Sequence, residues 1–186
     1  MPALKQPGPA WSKALALLAL VCLLHWLFGN VYEQVVIAPN WVVDSGKQMD
    51  RLHAFFVRST PTLYFVPLSL LASPLVWAAH ACNRRSDADT AFRRASGYAL
   101  VAAALNALIV ATIAIPLFSP DYRLHSDAEL HALCSRWNVL NALRMALTAA
   151  TVFWTFHAFR ILDRSADGAN RVTVAATPTH QEHEGA

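Results

Sequence analysis

Four stretches of predominantly apolar residues, about 14–37, 63–81, 98–118 and 138–162, decide what this chain can become. Each is close to the roughly 20 residues a helix needs to cross a hydrocarbon layer about 30 Å thick. Lipid offers the backbone no water, so runs of this length satisfy their N–H and C=O groups within a helix. The fold class that follows is all-α, an integral membrane four-helix bundle. Composition points the same way, with 55% hydrophobic and only 15% charged residues among 186, where an ordinary soluble domain carries about 25% charged. The net charge of +3 does not argue for nucleic acid, because the basic residues sit in short loops at segment ends. There they orient a protein in the lipid bilayer.

Along the chain, 1–12 reads as a short cytoplasmic N-terminal segment and 13–163 as the four-helix transmembrane domain. The small, polar composition of 164–186 is expected to make a disordered cytoplasmic tail. A basic start before an apolar core is also how a signal peptide opens, but no Ala-x-Ala-like site follows, and the first helix is read as uncleaved up to Pro39. Residues 40–60 should form an outside loop with a short helix, Lys47 to Arg58, carrying Leu52, Phe55 and Phe56 on one side. Pro67 and Pro74 in the second segment each remove a helix hydrogen bond and favour a kink. The third segment is rich in alanine, which lets helices approach closely, and holds one amide, Asn106. Ser126 and Glu129 form a capping box for a last helix from Asp127 to about Asp163, too long for the bilayer alone. Of the 15 Lys and Arg residues, nine fall on the side of the termini and five on the other. The richer side is cytoplasmic by the positive-inside rule, so both termini are expected inside, in a membrane of the bacterial inner-membrane type.

One charge lies well inside these segments, away from their ends. Arg144 sits in the last apolar run, where a charged side chain costs about 2.5–3.5 kcal/mol on insertion scales and so tends to face protein or a wet cavity. At 100° per residue, Trp137, Asn141, Arg144, Thr148, Thr151 and Thr155 fall within an arc of roughly 80° on one helix face. On the first helix, Cys22, His25, Gly29 and Glu33 share a face, with Glu33 at a depth that puts it within reach of Arg144. The two charges read either as an ion pair locking the first helix to the fourth, or as a charged pocket that anchors the polar group of an apolar ligand. His25 is the deepest histidine, a neutral core group or a base. His53, His125 and His131 are spread too widely, with Cys134 and Glu33, to make a tight metal motif. Cys22, Cys82 and Cys134 form neither a readable disulfide nor a Cys-x-x-Cys site. There is no Walker loop, dinucleotide fingerprint, nucleophile elbow or metalloprotease motif. No metal and no cofactor are expected.

The stretch Arg136-Trp137, Asn141 and Arg144 resembles the Arg-Trp…Asn-x-x-Arg signature opening the last helix of a known family. These are the small four-helix membrane proteins related to fungal anthrone oxygenases, mostly of unknown function. Gly29-Asn30-x-Tyr32-Glu33…Ala38-Pro39 and Ile115-Pro116-Leu117 fit the ends of that family's first and third helices, and Leu140 stands where a second aromatic is usual. The resemblance spans about residues 12–162 in layout. It implies four helices and, for a few members, cofactor-free oxidation of a polyphenolic anthrone. The candidate site then comprises Glu33, His25 and Arg144 for chemistry, and Tyr32, Asn30, Asn141, Trp137 and Thr148 for ligand contact. The expected function is binding of a small aromatic or quinone-like molecule in an outward-facing polar pocket between the first and fourth helices. Oxygen-dependent oxidation of that molecule is left open. The alternative is a non-enzymatic assembly subunit, joined to a larger complex or to copies of itself as a homo-oligomer through the alanine-rich third helix. A transporter ranks third, since no internal repeat is visible.

Overall fold

The computed structural model describes the backbone of residues 10–59 and 61–175, and the side chains of 11–59 and 63–165. Helix α1 (Ala10–Tyr32) passes through a π-helical turn (Glu33–Ile37) into α2 (Ala38–Trp41). The short α3 (Ser45–Phe55) follows, then α4 (Pro61–Cys82). Next, α5 (Asp89–Ile109) passes through a second π-helical turn (Val110–Ala114) into α6 (Ile115–Phe118). A 3-10 turn (Pro120–Leu124) leads to α7 (Asp127–Ala175). Among the described residues there is no strand. Four helical stretches are long and apolar enough to cross a membrane: Trp11–Trp41, Leu63–Cys82, Asp89–Phe118 and Asp127–Ser165.

The first helix was expected to stop before Pro39, yet it continues to Trp41, and the proline explains how. A proline offers no N–H to the carbonyl four residues back and crowds it with its ring. The residue just before each proline turns instead to the carbonyl five back: Ala38 N–H bonds Glu33 O, and Ile115 N–H bonds Val110 O. One wide turn thus absorbs each proline, so both helices run on into a short Pro-bearing segment ending in an aromatic residue, Trp41 or Phe118. Other boundaries differ too. The third helix begins at Asp89 rather than Tyr98, which puts Arg93 and Arg94 on helix, with Arg94 4.4 Å over the ring of Trp154. Helix α3 starts at Ser45, after Asp44 in the left-handed region (φ 51°), and Phe55 is exposed while Leu52 and Phe56 turn inward. The Ser126 capping box forms: Ser126 N–H donates to Glu129 Oε2 at 2.8 Å and Glu129 N–H to Ser126 Oγ at 3.4 Å. Helix α7 continues past Asp163 to Ala175, and the rest of the expected tail lies outside the described residues.

Packing closes the four long helices into a ring in chain order, α1 on α4, α4 on α5, α5 on α7 and α7 on α1. Small side chains make this closeness possible. Ala91, Ala95, Ala99 and Ala102 of α5 are buried, as are Ala16 and Ala19 of α1 and Ala72 and Ala79 of α4. Without large side chains between them, backbones approach and dispersion contacts accumulate. Lys13 Nζ and Asp163 Oδ1, 2.9 Å apart, tie α1 to α7 at one end. The interior combines apolar clusters with a polar strip, Asn30, Asn141, Arg144, Thr148 and Thr151, whereas Leu17, Leu70, Leu100 and Phe153 face outward.

Candidate functional site

At the α3 end of the bundle the helices enclose a cavity of about 560 Å³. Its wall takes Trp26, Gly29 and Asn30 from α1, Glu33 and Ile37 from the first π turn, and Trp41 from α2. Leu52, His53 and Phe56 come from α3 and the residue after it, and Phe65, Val66 and Ser69 from α4. The third helix contributes Asn106 to Phe118 at intervals, and α7 contributes Trp137 and Arg144. Both π turns therefore lie on the cavity wall. Widened turns displace the helix surface by about one residue and recur where a helix must present groups to a site.

Arg144 is the polar centre. Its Nε donates to Asn141 Oδ1 at 3.2 Å and its Nη1 to Asn106 Oδ1 at 2.6 Å, while Nη2 donates to both Asn141 Oδ1 and Asn30 Oδ1. The guanidinium fork has donors in one plane, so three carboxamide oxygens from α1, α5 and α7 hold it in one orientation. The amides are themselves fixed. Asn30 Nδ2 donates to Trp26 O at 2.6 Å, and Asn141 Nδ2 donates to Gln34 Oε1 at 2.8 Å. Gln34 Nε2 continues the chain to Asn138 Oδ1 at 3.2 Å. The chain of donors runs in one direction, from Arg144 through Asn141 and Gln34 to Asn138, and hydrogen-bonded networks of this kind rigidify an interior. Glu33 lines the same cavity, yet among the described residues no hydrogen bond or ion pair joins it to Arg144. The amides hold the arginine by hydrogen bonds, and the Glu33 carboxylate acts on it through space.

The polar stripe of α7 is wholly internal: Trp137, Asn141, Arg144, Thr148, Thr151 and Thr155 are all at most 6% exposed. Asn30, Glu33, Trp137 and Arg144 meet at the cavity, with Asn141 directly behind Arg144. Thr148 is not at the wall; its hydroxyl donates to Arg144 O at 2.9 Å, which braces the helix beneath the charge. Two expected site residues lie elsewhere. Tyr32 is 55% exposed on the outer surface of α1. His25 faces α4, its ring 4.7 Å from Tyr64 and 5.7 Å from Phe65, and does not line the cavity.

The histidine at the cavity is His53. Its Nε2 lies 3.1 Å from Leu117 O, an acceptor only, so Nε2 carries the proton and Nδ1 is left with the lone pair. The ring stacks on Tyr122 at 4.1 Å, and Tyr122 Oη donates to Asp50 Oδ1 at 2.5 Å and accepts from Arg123 Nε at 3.0 Å. These contacts seat α3 across the end of the cavity. Asn106 and Gln34 complete the hydrogen-bonded set that sequence reasoning did not place in the site; the signal they gave was an amide in an apolar segment, alone in the third and one turn beyond Asn30 in the first. Among the described residues no three His, Cys, Asp or Glu side chains converge on a metal-sized point. No family model, curated protein or solved structure matches the chain.

Proposed function

We propose that this is an integral membrane protein, of the bacterial inner membrane type and with both termini cytoplasmic, which binds a small aromatic or quinone-like molecule in the cavity. One observation carries the reading: a guanidinium, clamped by three amides, shares the wall of one chamber with the Glu33 carboxylate and with the rings of Trp26, Trp41, Phe65, Phe118 and Trp137. Rings stack on such walls. The clamped guanidinium offers a fixed positive charge to a carbonyl or phenolate oxygen in a place with little competing water, where that charge acts strongly. In the enzymatic form of the reading, Glu33 accepts the phenolic proton and Arg144 holds the oxyanion, leaving an electron-rich ring open to dioxygen. That is the cofactor-free chemistry implied by the resemblance to the anthrone-oxygenase-like proteins. The assembly reading depends on the alanines of the third helix, of which Ala91, Ala95, Ala99 and Ala102 are occupied inside the bundle and Ala104, Ala107 and Ala111 face outward.

The test is titration of the purified protein with 2-methyl-1,4-naphthoquinone, read by quenching of tryptophan fluorescence. Saturable quenching is expected, weakened about ten-fold or more in Arg144→Met, the equivalent of roughly 1.4 kcal/mol. Linear, unsaturable quenching in the unmodified protein would remove the reading. For orientation, a reporter fused after Ala186 is expected to be active in the cytoplasm; activity on the other side inverts the topology.

A further inference from the structure

Helix α4 does not run evenly beside the third helix. At one end the two are stitched together: Ser73 Oγ donates to Ala99 O at 3.3 Å and Trp77 Nε1 to Ser96 O at 3.2 Å. His80 bridges further, with Nε2 3.2 Å from Asp89 Oδ1 and Nδ1 3.2 Å from Ser96 Oγ. From Ser73 toward the α3 end, no hydrogen bond or ion pair among the described residues joins α4 to α5, the second π turn or α6. The core cluster at that end includes residues of α2, α3, α6 and α7 but none of α4.

The sequence supplies the cause. Gly29 has no Cβ, and one placed there would collide with the ring of Phe65, so this half of α4 leans into α1. Tyr64 settles against His25 in the same way. Pro67 removes a backbone hydrogen bond within this half of α4. As α4 leans toward α1, it leaves α5 and α6.

We propose that the gap is a window through which the ligand enters sideways from the lipid, with its polar head at Arg144 and an apolar tail remaining in the membrane. This rests on the ligand-binding reading of the cavity. Cavity-lining residues on α1 and α7, such as Trp26, Asn30, Trp137 and Arg144, are buried. Those facing outward are Val66 (39% exposed), beside the half-buried Ser69, on one side, and Val110 (42%), Ile115 (58%) and Phe118 (40%) on the other. All five lie within stretches long and apolar enough to span a membrane. The rim is apolar except for Ser69, whose hydroxyl is already given to Val66 O at 3.1 Å. A charged interior behind an apolar rim suits an amphiphile: acceptor oxygens meet the arginine, and a hydrocarbon chain lies across the rim at no desolvation cost.

The experiment compares two probes in lipid nanodiscs: 2-methyl-1,4-naphthoquinone, and the same ring carrying a long prenyl chain. Both should quench tryptophan fluorescence saturably in the unmodified protein. Ser69→Phe combined with Val110→Phe fills the window, and should weaken the tailed probe about ten-fold or more beyond any change in the tail-less affinity. Leu108→Phe, on the outer face away from the cavity, should leave both unchanged. The window falls if the filled variant binds the tailed probe as well as the unmodified protein does. It also falls if the unmodified protein accepts the bare ring but rejects the tailed one; in both cases the cavity reading survives. If neither probe saturates the unmodified protein, the window and the cavity reading fall together. Where the double variant loses the tail-less probe as well, Ser69→Phe alone carries the same comparison.

Discussion

Replacing Arg144 by methionine is expected to destabilise the bundle by about 3–5 kcal/mol, the range for removing one member of a buried charged network. The cost lies in what is left behind. Asn30, Asn106 and Asn141 would each keep a carboxamide oxygen that had faced the guanidinium. A buried acceptor with no donor costs about 1–3 kcal/mol. Two of these amides cannot turn to new partners, since Asn30 Nδ2 is held by Trp26 O and Asn141 Nδ2 by Gln34 Oε1. Arg144→Lys should fall between the two, keeping a charge but losing the planar fork that meets oxygens from three helices. Because Glu33 makes no bond to Arg144, a double-mutant cycle of Arg144→Met with Asn30→Leu should return a coupling of about 1–3 kcal/mol, larger than a cycle with Glu33→Leu. Unfolding titrations in one mild detergent give all of these values. A greater coupling to Glu33 than to Asn30 would mean that the carboxylate, not the amide set, holds the arginine.

Much of this arrangement was legible in the chain and some was not, for physical reasons. The helices were readable because apolar length alone specifies a helix in a span, and the stripe on α7 was readable because an uninterrupted helix keeps 100° per residue through Trp137 to Thr155. The cavity-lining face of the first helix lies about 50° from the face that Cys22, His25, Gly29 and Glu33 share at that same spacing. Cys22, His25, Gly29 and Glu33 were grouped, whereas the cavity takes Trp26, Gly29, Asn30, Glu33 and Ile37. Both sets share Gly29 and Glu33, and nothing local decides between them; Gly29 faces Phe65 as well as the cavity, and His25 follows that other contact. The π turns were hidden because one wide turn barely alters a periodicity, although Pro39 and Pro116 were visible as their cause. His53 was hidden most deeply, since its place at the wall depends on Leu117 and Tyr122, more than sixty residues away.

Trp137→Ala is the second large effect, with an expected loss of about 3–5 kcal/mol, as for other buried tryptophans cut to alanine. Trp137 is 3% exposed and meets the ring of Trp41 at 4.9 Å with planes at 65°, and Trp41 in turn meets Phe118 at 5.6 Å and 68°. Edge-to-face pairs such as these contribute about 0.5–1.5 kcal/mol each beyond their buried area. Their position matters more than their number. Trp41 and Phe118 end the two short segments that follow the π turns, so the three rings clasp the ends of the first and third helices to α7. Without the central ring, those ends lose the packing that offsets the strain of a wide turn. Hydrogen exchange should therefore rise at 38–41 and 115–118 while staying slow where α4 meets α5 near Ser73 and Ala99. Trp137→Phe should keep most of the clasp, because an aromatic edge remains for Trp41. A uniform rise in exchange along all four helices, or a stability loss below about 1 kcal/mol in Trp137→Ala, would show that the rings only fill space and the helix ends hold themselves.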